Sequence, residues 1–360
     1  MLLKKFSYRD YNWEIQELSL QTVNLIVGEN GTGKTRFLTY LYQIKNFISN
    51  KWEDIFIHGN QCKWIIEFQI ENSDVIRYEI SITHDGKKYE CDIHSEKLFK
   101  NDFLLVERDS DKFCKIYSEI SKQYDSFNPP NDKLAILSRR DTKAYPFTER
   151  IIEWAKNSFM LTFSEINEQH RVVELLSEHL DFSQLYPLLN KQEQQNILDY
   201  CNEIGFPFEN IKIHELGKNL NALMIKEYNV ESEIIYYGLS QGMLRALCLL
   251  IYIEYLISKE KTATILIDDL GEGLDYRRAT ELGKIIFKRC LENNIQLIAT
   301  SNDNFLMNVV DIDYWNVLIR EGKVVKAINK VNHPTIFEDF RFEGTSNFNF
   351  FSSSFLPSRL

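Results

Sequence analysis

The chain lacks the marks of a metal-stapled, disulfide-bonded or membrane-spanning protein. Its six cysteines (Cys62, Cys91, Cys114, Cys201, Cys248 and Cys290) are scattered and form no C-x-x-C pair, so neither a zinc site nor a disulfide framework is expected. The seven histidines show no metal-ligand spacing. The longest apolar run, residues 243–257, is broken by Arg245 and Glu254 and is too short to span a bilayer, which predicts a buried helix. The first ten residues contain no apolar core of signal-peptide length, and a cytoplasmic protein is expected. A net charge of −10 argues against a general nucleic-acid coat, although a local basic face needs only a patch.

What is present is a globular composition, 44% apolar and 13% aromatic over 360 residues, enough for one large domain or two. The most informative stretch is Gly28-Glu29-Asn30-Gly31-Thr32-Gly33-Lys34-Thr35, a match to G-x-x-x-x-G-K-[ST]. Val23, Leu25, Ile26 and Val27 predict a short buried strand before it, and residues 36–47 predict a helix after it. In that setting the glycines let backbone N–H groups turn inward around phosphate oxygens, and the helix adds its N-terminal partial positive charge. Lys34 suits the β- and γ-phosphates, and the Thr35 hydroxyl suits magnesium.

Further along, Trp64, Ile66, Phe68 and Ile70 alternate with more polar positions, as do Ile76, Tyr78, Ile80 and Ile82, and then Tyr89, Cys91 and Ile93. This predicts half-buried strands in an antiparallel meander, with turns at Glu71-Asn72-Ser73-Asp74 and Asp85-Gly86. Residues 121–132, with Asn128-Pro129-Pro130-Asn131, read as a flexible connection. From Phe147 to about Asn202 the pattern is helical, with Ile151, Ile152, Trp154, Ala155 and Phe159 on one face and Val172, Leu175, Leu176 and Leu180 on another. Beyond Asn229 strands and helices alternate: residues 264–268 and 295–300 as buried strands, 276–291 as a helix, and a hairpin at Glu321-Gly322. The tail places Phe337, Phe340, Phe342, Phe348, Phe350, Phe351 and Phe355 among Ser and Asn, either folded back on the domain or docking a partner.

The strand Thr264-Ile265-Leu266-Ile267 runs into Asp268 and Asp269. An aspartate at such a strand end can hold a magnesium shell beside a phosphate loop, and the next acid can polarise an attacking water. Gly238-Leu239-Ser240-Gln241-Gly242-Met243 precedes that strand by one long helix and resembles the L-S-G-G-Q signature of ABC-type ATPases. Leu239, Ser240 and Gly242 match, Gln241 replaces the first glycine of the pair, and Met243 stands at the final glutamine. Leu274-Asp275 resembles the D-loop of that family, and the order of elements is the ABC order. The meander after the loop helix resembles the RecF/SMC/OLD-like branch. The segment Ala299-Thr300-Ser301-Asn302-Asp303 and the tail resemble stand-alone ATPases of prokaryotic phage-defence loci. A zinc-hook cysteine pair and long heptads are missing, which excludes a full SMC or break-repair architecture.

The resemblance implies an α/β P-loop ABC-ATPase head with an antiparallel β subdomain and a helical insertion. The expected parts are an N-terminal ATPase part over 1–120, a mainly helical insertion over 121–231, a C-terminal ATPase part over 232–335 and an aromatic-rich tail over 336–360. It implies ATP and magnesium, with Gly28, Glu29, Asn30, Gly31, Thr32, Gly33, Lys34 and Thr35 on the phosphates and Thr35 and Asp268 on the metal. Ser240 and Gly242 of a second copy would complete the site in a head-to-tail homodimer, and Lys34, Asp268 and Asp269 would form the catalytic set. Hydrolysis is expected to be slow, because Asp269 replaces the usual glutamate and Ser301 or Asn302 the switch histidine. Gln123 is the candidate Q-loop glutamine, set against an ordinary solvated side chain. The implied role is to gate a partner effector, such as a nuclease, in antiviral defence. The alternatives are a RecF-like ATPase binding DNA through Lys87, Lys88, Arg139, Arg140, Lys143 and Arg150, or an ATP-binding scaffold with negligible turnover.

Overall fold

A computed structural model describes residues 1–51, 61–70, 74–84, 91–109, 113–161, 182–217, 220–260, 262–343 and 346–352. In chain order the strands and helices are β1 (Leu2–Arg9), β2 (Glu14–Ser19), β3 (Val23–Val27), α1 (Lys34–Ile48), β4 (Gln61–Gln69), β5 (Val75–His84), β6 (Cys91–Lys100), β7 (Phe103–Arg108), β8 (Cys114–Tyr117), β9 (Tyr124–Phe127), α2 (Ala135–Ser138), α3 (Pro146–Lys156) and β10 (Ser158–Leu161). They continue as α4 (Phe182–Leu185), α5 (Lys191–Ile204), β11 (Phe208–Gly217), β12 (Leu220–Glu227), β13 (Glu233–Ile235), α6 (Gln241–Ser258), β14 (Ala263–Ile267), α7 (Tyr276–Glu292), β15 (Ile295–Thr300), α8 (Asn304–Val309), β16 (Trp315–Glu321), β17 (Val324–Ile328), α9 (Pro334–Glu343) and α10 (Asn347–Ser352). The chain divides into two compact units, residues 1–158 with 316–335 and residues 159–315 with 336–360. These boundaries differ from the four-part division expected above.

In the first unit the strands run in the order β3-β16-β17-β2-β1-β4-β5-β6-β7-β8-β9. β17 pairs with β2 in parallel, whereas from β2 outward β1, β4, β5, β6, β7, β8 and β9 pair as antiparallel neighbours. The expected meander is therefore present, with its alternation expressed as cross-strand apolar pairs: Phe68↔Ile76, Ile66↔Tyr78, Trp64↔Ile80 and Cys62↔Ile82 share the buried face. The helix α1 packs Phe37, Leu38, Leu41, Ile44 and Phe47 into this core. The Trp64 indole N–H donates to the Tyr40 carbonyl at 3.2 Å, and the Tyr40 ring stacks on Tyr8 at 3.7 Å.

The connection around residues 121–132 is more ordered than expected. β9 pairs with β8, and the fully buried Arg108 donates to the carbonyls of Pro130 (3.0 Å) and Lys133 (2.8 Å). Glu96, also fully buried, accepts from the Tyr78 hydroxyl at 2.6 Å and from the Ala135 amide at 2.6 Å. Arg108 thus ties the Pro-containing loop to the meander through two carbonyls, although its Nε has no hydrogen-bond partner among the described residues, while Glu96 ties the start of α2 to the meander.

The second unit contains β10, β14 and β15 as neighbours, with β14 and β15 parallel and buried along their whole length. Both match the expected buried strands. The stretch expected to be mainly helical also contains an antiparallel three-stranded sheet of β11, β12 and β13. Val172, Leu175, Leu176 and Leu180 lie outside the described residues. The helix α6 is long and apolar enough to cross a membrane by length and composition, but 72% of it is buried, as a core helix would be. At 18 residues it is the longest helix among the described residues, so no long coiled coil occurs there. The aromatic tail folds back: Phe350 lies 4.7 Å from Phe337, 4.9 Å from Phe340 and 6.2 Å from Trp315 between ring centroids, and all four are buried.

Candidate functional site

In the first unit the buried strand β3 delivers the chain at Gly28. A Cβ there would lie 2.6 Å from Thr32 Oγ1 and 2.9 Å from the Leu318 carbonyl oxygen, so glycine is what lets the loop pass so close to β16. Gly31 and Gly33 have φ of 84° and 105°, the left-handed region that side chains disfavour. Gly33 is the N-cap of α1, so the left-handed turn comes directly before the helix N-terminus. The Lys34 ammonium donates to the carbonyls of Gly28 (2.7 Å) and Glu29 (3.1 Å), and its side chain is buried within the loop. Thr32 Oγ1 donates to the Glu29 carbonyl at 2.8 Å, while Glu29, Asn30 and Thr35 are exposed.

Beside this loop stands Trp13, 6% exposed, with the guanidinium of Arg36 at 4.3 Å and that of Arg320 at 4.1 Å from its ring centroid. Arg320 also donates to the Gly31 carbonyl at 3.1 Å. Among the described residues neither guanidinium forms an ion pair, which leaves both charges available to an anion. Of the upstream aromatics named for base stacking, Tyr8 is a core residue and Tyr11 is 80% exposed; Trp13 packs against the loop with its ring covered.

The second unit carries the acids and the signature. Asp268 and Asp269 follow β14, and Thr300 at the end of β15 joins them: its hydroxyl donates to Asp268 Oδ1 at 2.6 Å and accepts the Asp269 N–H at 2.8 Å. Asp269 has φ of 50°, an uncommon conformation for a residue other than glycine. From α6, the buried Arg245 donates to the carbonyls of Asp268 and Asp269, both at 2.7 Å, and to Glu272 at 2.6 Å. Ser240 is the exposed N-cap of α6, its hydroxyl accepting from the Met243 N–H at 3.4 Å. Gly242 is buried against Gly273: a Cβ on Gly242 would overlap the Gly273 carbonyl oxygen and lie 2.8 Å from Leu274 Cδ2. Asp275 caps α7 by accepting from the Arg278 N–H at 3.2 Å.

Several expected residues have structural roles. Ser301 is buried and hydrogen-bonds the Leu270 carbonyl (3.3 Å) and the Asp303 N–H (3.0 Å), whereas Asn302 is exposed. Gln123 is an exposed turn residue whose carbonyl accepts from the Ser118 N–H. Arg140 is paired with Glu149 and Arg139 stacks over Phe127, while Lys87 and Lys88 lie outside the described residues. No group of acidic, histidine and cysteine residues able to hold a metal by itself occurs among the described residues. The Thr35 hydroxyl in the first unit and the Asp268 carboxylate in the second are each the kind of hard oxygen donor magnesium prefers.

Arg245, Thr300 and the Arg36–Trp13–Arg320 stack were not expected from the sequence. One signal was available: Arg245 is a charge inside an apolar helix, and such a charge needs buried partners.

These features define a mixed α/β protein with a P-loop. The family model described as "AAA domain, putative AbiEii toxin, Type IV TA system" matches residues 23–308, and the chain belongs to that family. No curated protein matches it by sequence. The chain is similar in fold to an SMC head solved bound to the C-terminal winged-helix domain of ScpA, with TM-score 0.55 and 11% identity over 91% of this chain and 97% of that one. It is also similar to the Pyrococcus furiosus Smc head with an extended coiled coil bound to the C-terminal domain of ScpA, with TM-score 0.51 and 11% identity over 94% and 99% of the two chains.

Proposed function

We propose that this protein is an ATP-driven clamp: two copies close head to tail around two ATP molecules, and closure gates an effector partner, such as a nuclease, in a prokaryotic antiviral defence system. The observation that carries the reading is the loop 28–35, with left-handed Gly31 and Gly33, an inward Lys34 and the start of α1, which is a cradle for a triphosphate. Lys34 and the loop amides bind the β- and γ-phosphates, and Thr35 and Asp268 would hold magnesium. Bound there, the metal would neutralise charge on the transferring phosphoryl group. Asp269 orients the attacking water from a side chain one methylene shorter than glutamate, which favours slow turnover and a timing role. Ser240 and Gly242, at the open end of α6, offer a hydroxyl and a helix N-terminus to the γ-phosphate of a partner copy. The solved SMC heads bind a ScpA domain, which supports a protein partner here as well. Direct DNA binding is the weaker reading, because Arg140 and Arg139 are already engaged.

The test is light scattering after size exclusion on Asp269→Asn with ATP and magnesium, with Lys34→Ala as the control. An ATP-dependent dimer lost in the Lys34 variant is expected; a strictly monomeric Asp269→Asn protein would sink the clamp. Phosphate release that Lys34→Ala abolishes separates an ATPase from a scaffold that only binds.

A further inference from the structure

We infer that Arg245 is a positioning residue for hydrolysis: it clamps the backbone of the acid pair and ties the conformation of Asp269 to the signature helix. The inference rests on the ATPase reading above. The Asp269 N–H is held by Thr300 Oγ1 at 2.8 Å and its carbonyl by Arg245 at 2.7 Å, so both sides of the residue are fixed in the left-handed region at φ 50°. A non-glycine residue is strained there and stays only when its surroundings hold it. The same twist decides where the short Asp269 side chain leaves the backbone.

Arg245 reaches the acids from the second turn of α6, whose N-cap is Ser240. Its planar fork spans two carbonyls and the Glu272 carboxylate at once, a geometry one ammonium cannot reproduce. The side chain is only 8% exposed, whereas Glu272 is 66% exposed, so Glu272 neutralises the buried cation from the solvent side. Gly242 adds a second attachment by packing directly on Gly273. The start of α6, the acid pair and residues 271–275 therefore move as one block. Any displacement of Ser240 by a γ-phosphate is delivered to Asp269 through Arg245 as well as through the chain.

The experiment measures single-turnover phosphate release and ATP affinity on the full chain for the unsubstituted protein, Lys34→Ala, Arg245→Ala, Arg245→Lys, Asp269→Asn and the double variant Arg245→Ala/Asp269→Asn. Misplacement of a reacting group by about 1 Å costs about 100-fold, so Arg245→Ala is expected to slow release by about 10- to 100-fold. ATP affinity is expected to stay within about threefold, the signature of an interaction made in the reaction and not in binding. In the Asp269→Asn background the Arg245 substitution should add less than about twofold, because the two residues act as one unit. An unchanged rate, an equal loss of affinity and rate, or full additivity in the double variant each overturns the inference. Should Arg245→Ala not fold, Arg245→Lys is read in the same way, and a rate equal to that of the unsubstituted protein overturns it. Absence of Lys34-dependent release in the unsubstituted protein removes the ATPase reading itself, a result distinct from normal release that ignores Arg245.

Discussion

Replacing Gly242 by alanine should destabilise the second unit, although alanine is ordinarily the better helix residue. Gly242 is the second residue of α6. A Gly→Ala change inside a helix gains up to about 1 kcal/mol from propensity, and less in the first turn. Against this, the added Cβ overlaps the Gly273 carbonyl oxygen and lies 2.8 Å from Leu274 Cδ2 and 3.1 Å from the Gly273 carbonyl carbon. The leucine can rotate, but the Gly273 backbone cannot yield without moving the segment that carries Asp275, the N-cap of α7. Overpacking of this kind costs about 1–3 kcal/mol, so a net loss of about 1–2 kcal/mol is expected. With an m-value of about 2–3 kcal/mol/M, that is a fall of about 0.5 M in the urea midpoint.

The companion variant Gly273→Ala separates the causes. Its Cβ would meet Gly242 at an ordinary 3.7 Å, but its φ is 79°. Its cost is then conformational, about 1 kcal/mol, without displacement of α6. Urea unfolding followed by far-UV circular dichroism, paired with ATP-dependent dimerisation, reads both. Gly242→Ala should lose stability and dimerisation together while the loop at 28–35 keeps its affinity for ATP. A Gly242→Ala protein as stable as the parent would refute the close approach of α6 to residues 271–275.

Other expectations follow from the same structure. Glu254 on α6 and Arg289 on α7 form a two-point ion pair at 2.8 and 3.0 Å with Glu254 almost fully buried, so Glu254→Ala should cost about 3–5 kcal/mol and Glu254→Leu/Arg289→Met should recover most of it in urea unfolding. Burial pushes the Cys114 and Cys290 thiols up to about 12, so both should resist iodoacetamide at pH 8 and be alkylated only after denaturation, as read by peptide mass spectrometry. Arg320→Ala removes a donor to the Gly31 carbonyl and one of the two charges on Trp13, so ATP affinity should fall by about 1 kcal/mol, roughly fivefold, with a change in Trp13 fluorescence on nucleotide addition. An Arg320→Ala affinity equal to the parent's would show that the stack does not support the loop.

The features legible in the sequence are those whose physics is local. Left-handed Gly31 and Gly33 need glycine, strands with one wet face need alternation, and β14 and β15, with no wet face, read as unbroken apolar runs. What was illegible depends on partners distant in the chain. Arg245 finds acceptors 23 and 24 residues away, and those acceptors are backbone carbonyls, which every residue carries and no residue type advertises. Its charge in an apolar run served only to argue against a membrane span. The strands β11 and β12 were read as part of a helical stretch because most of their exposed positions are Lys, Glu, Asn and His, which carry little strand signal. The register of those strands, with irregularities beside Phe208 and Glu215, blurs the alternation further. The same asymmetry separates the two halves of the proposed reaction. Binding of a triphosphate rests on glycines and a lysine within eight consecutive positions, whereas the geometry at Asp269 rests on Thr300 and Arg245, each brought in from another element. Substitutions in the second set can therefore change the timing of the clamp while the phosphate-binding motif stays intact.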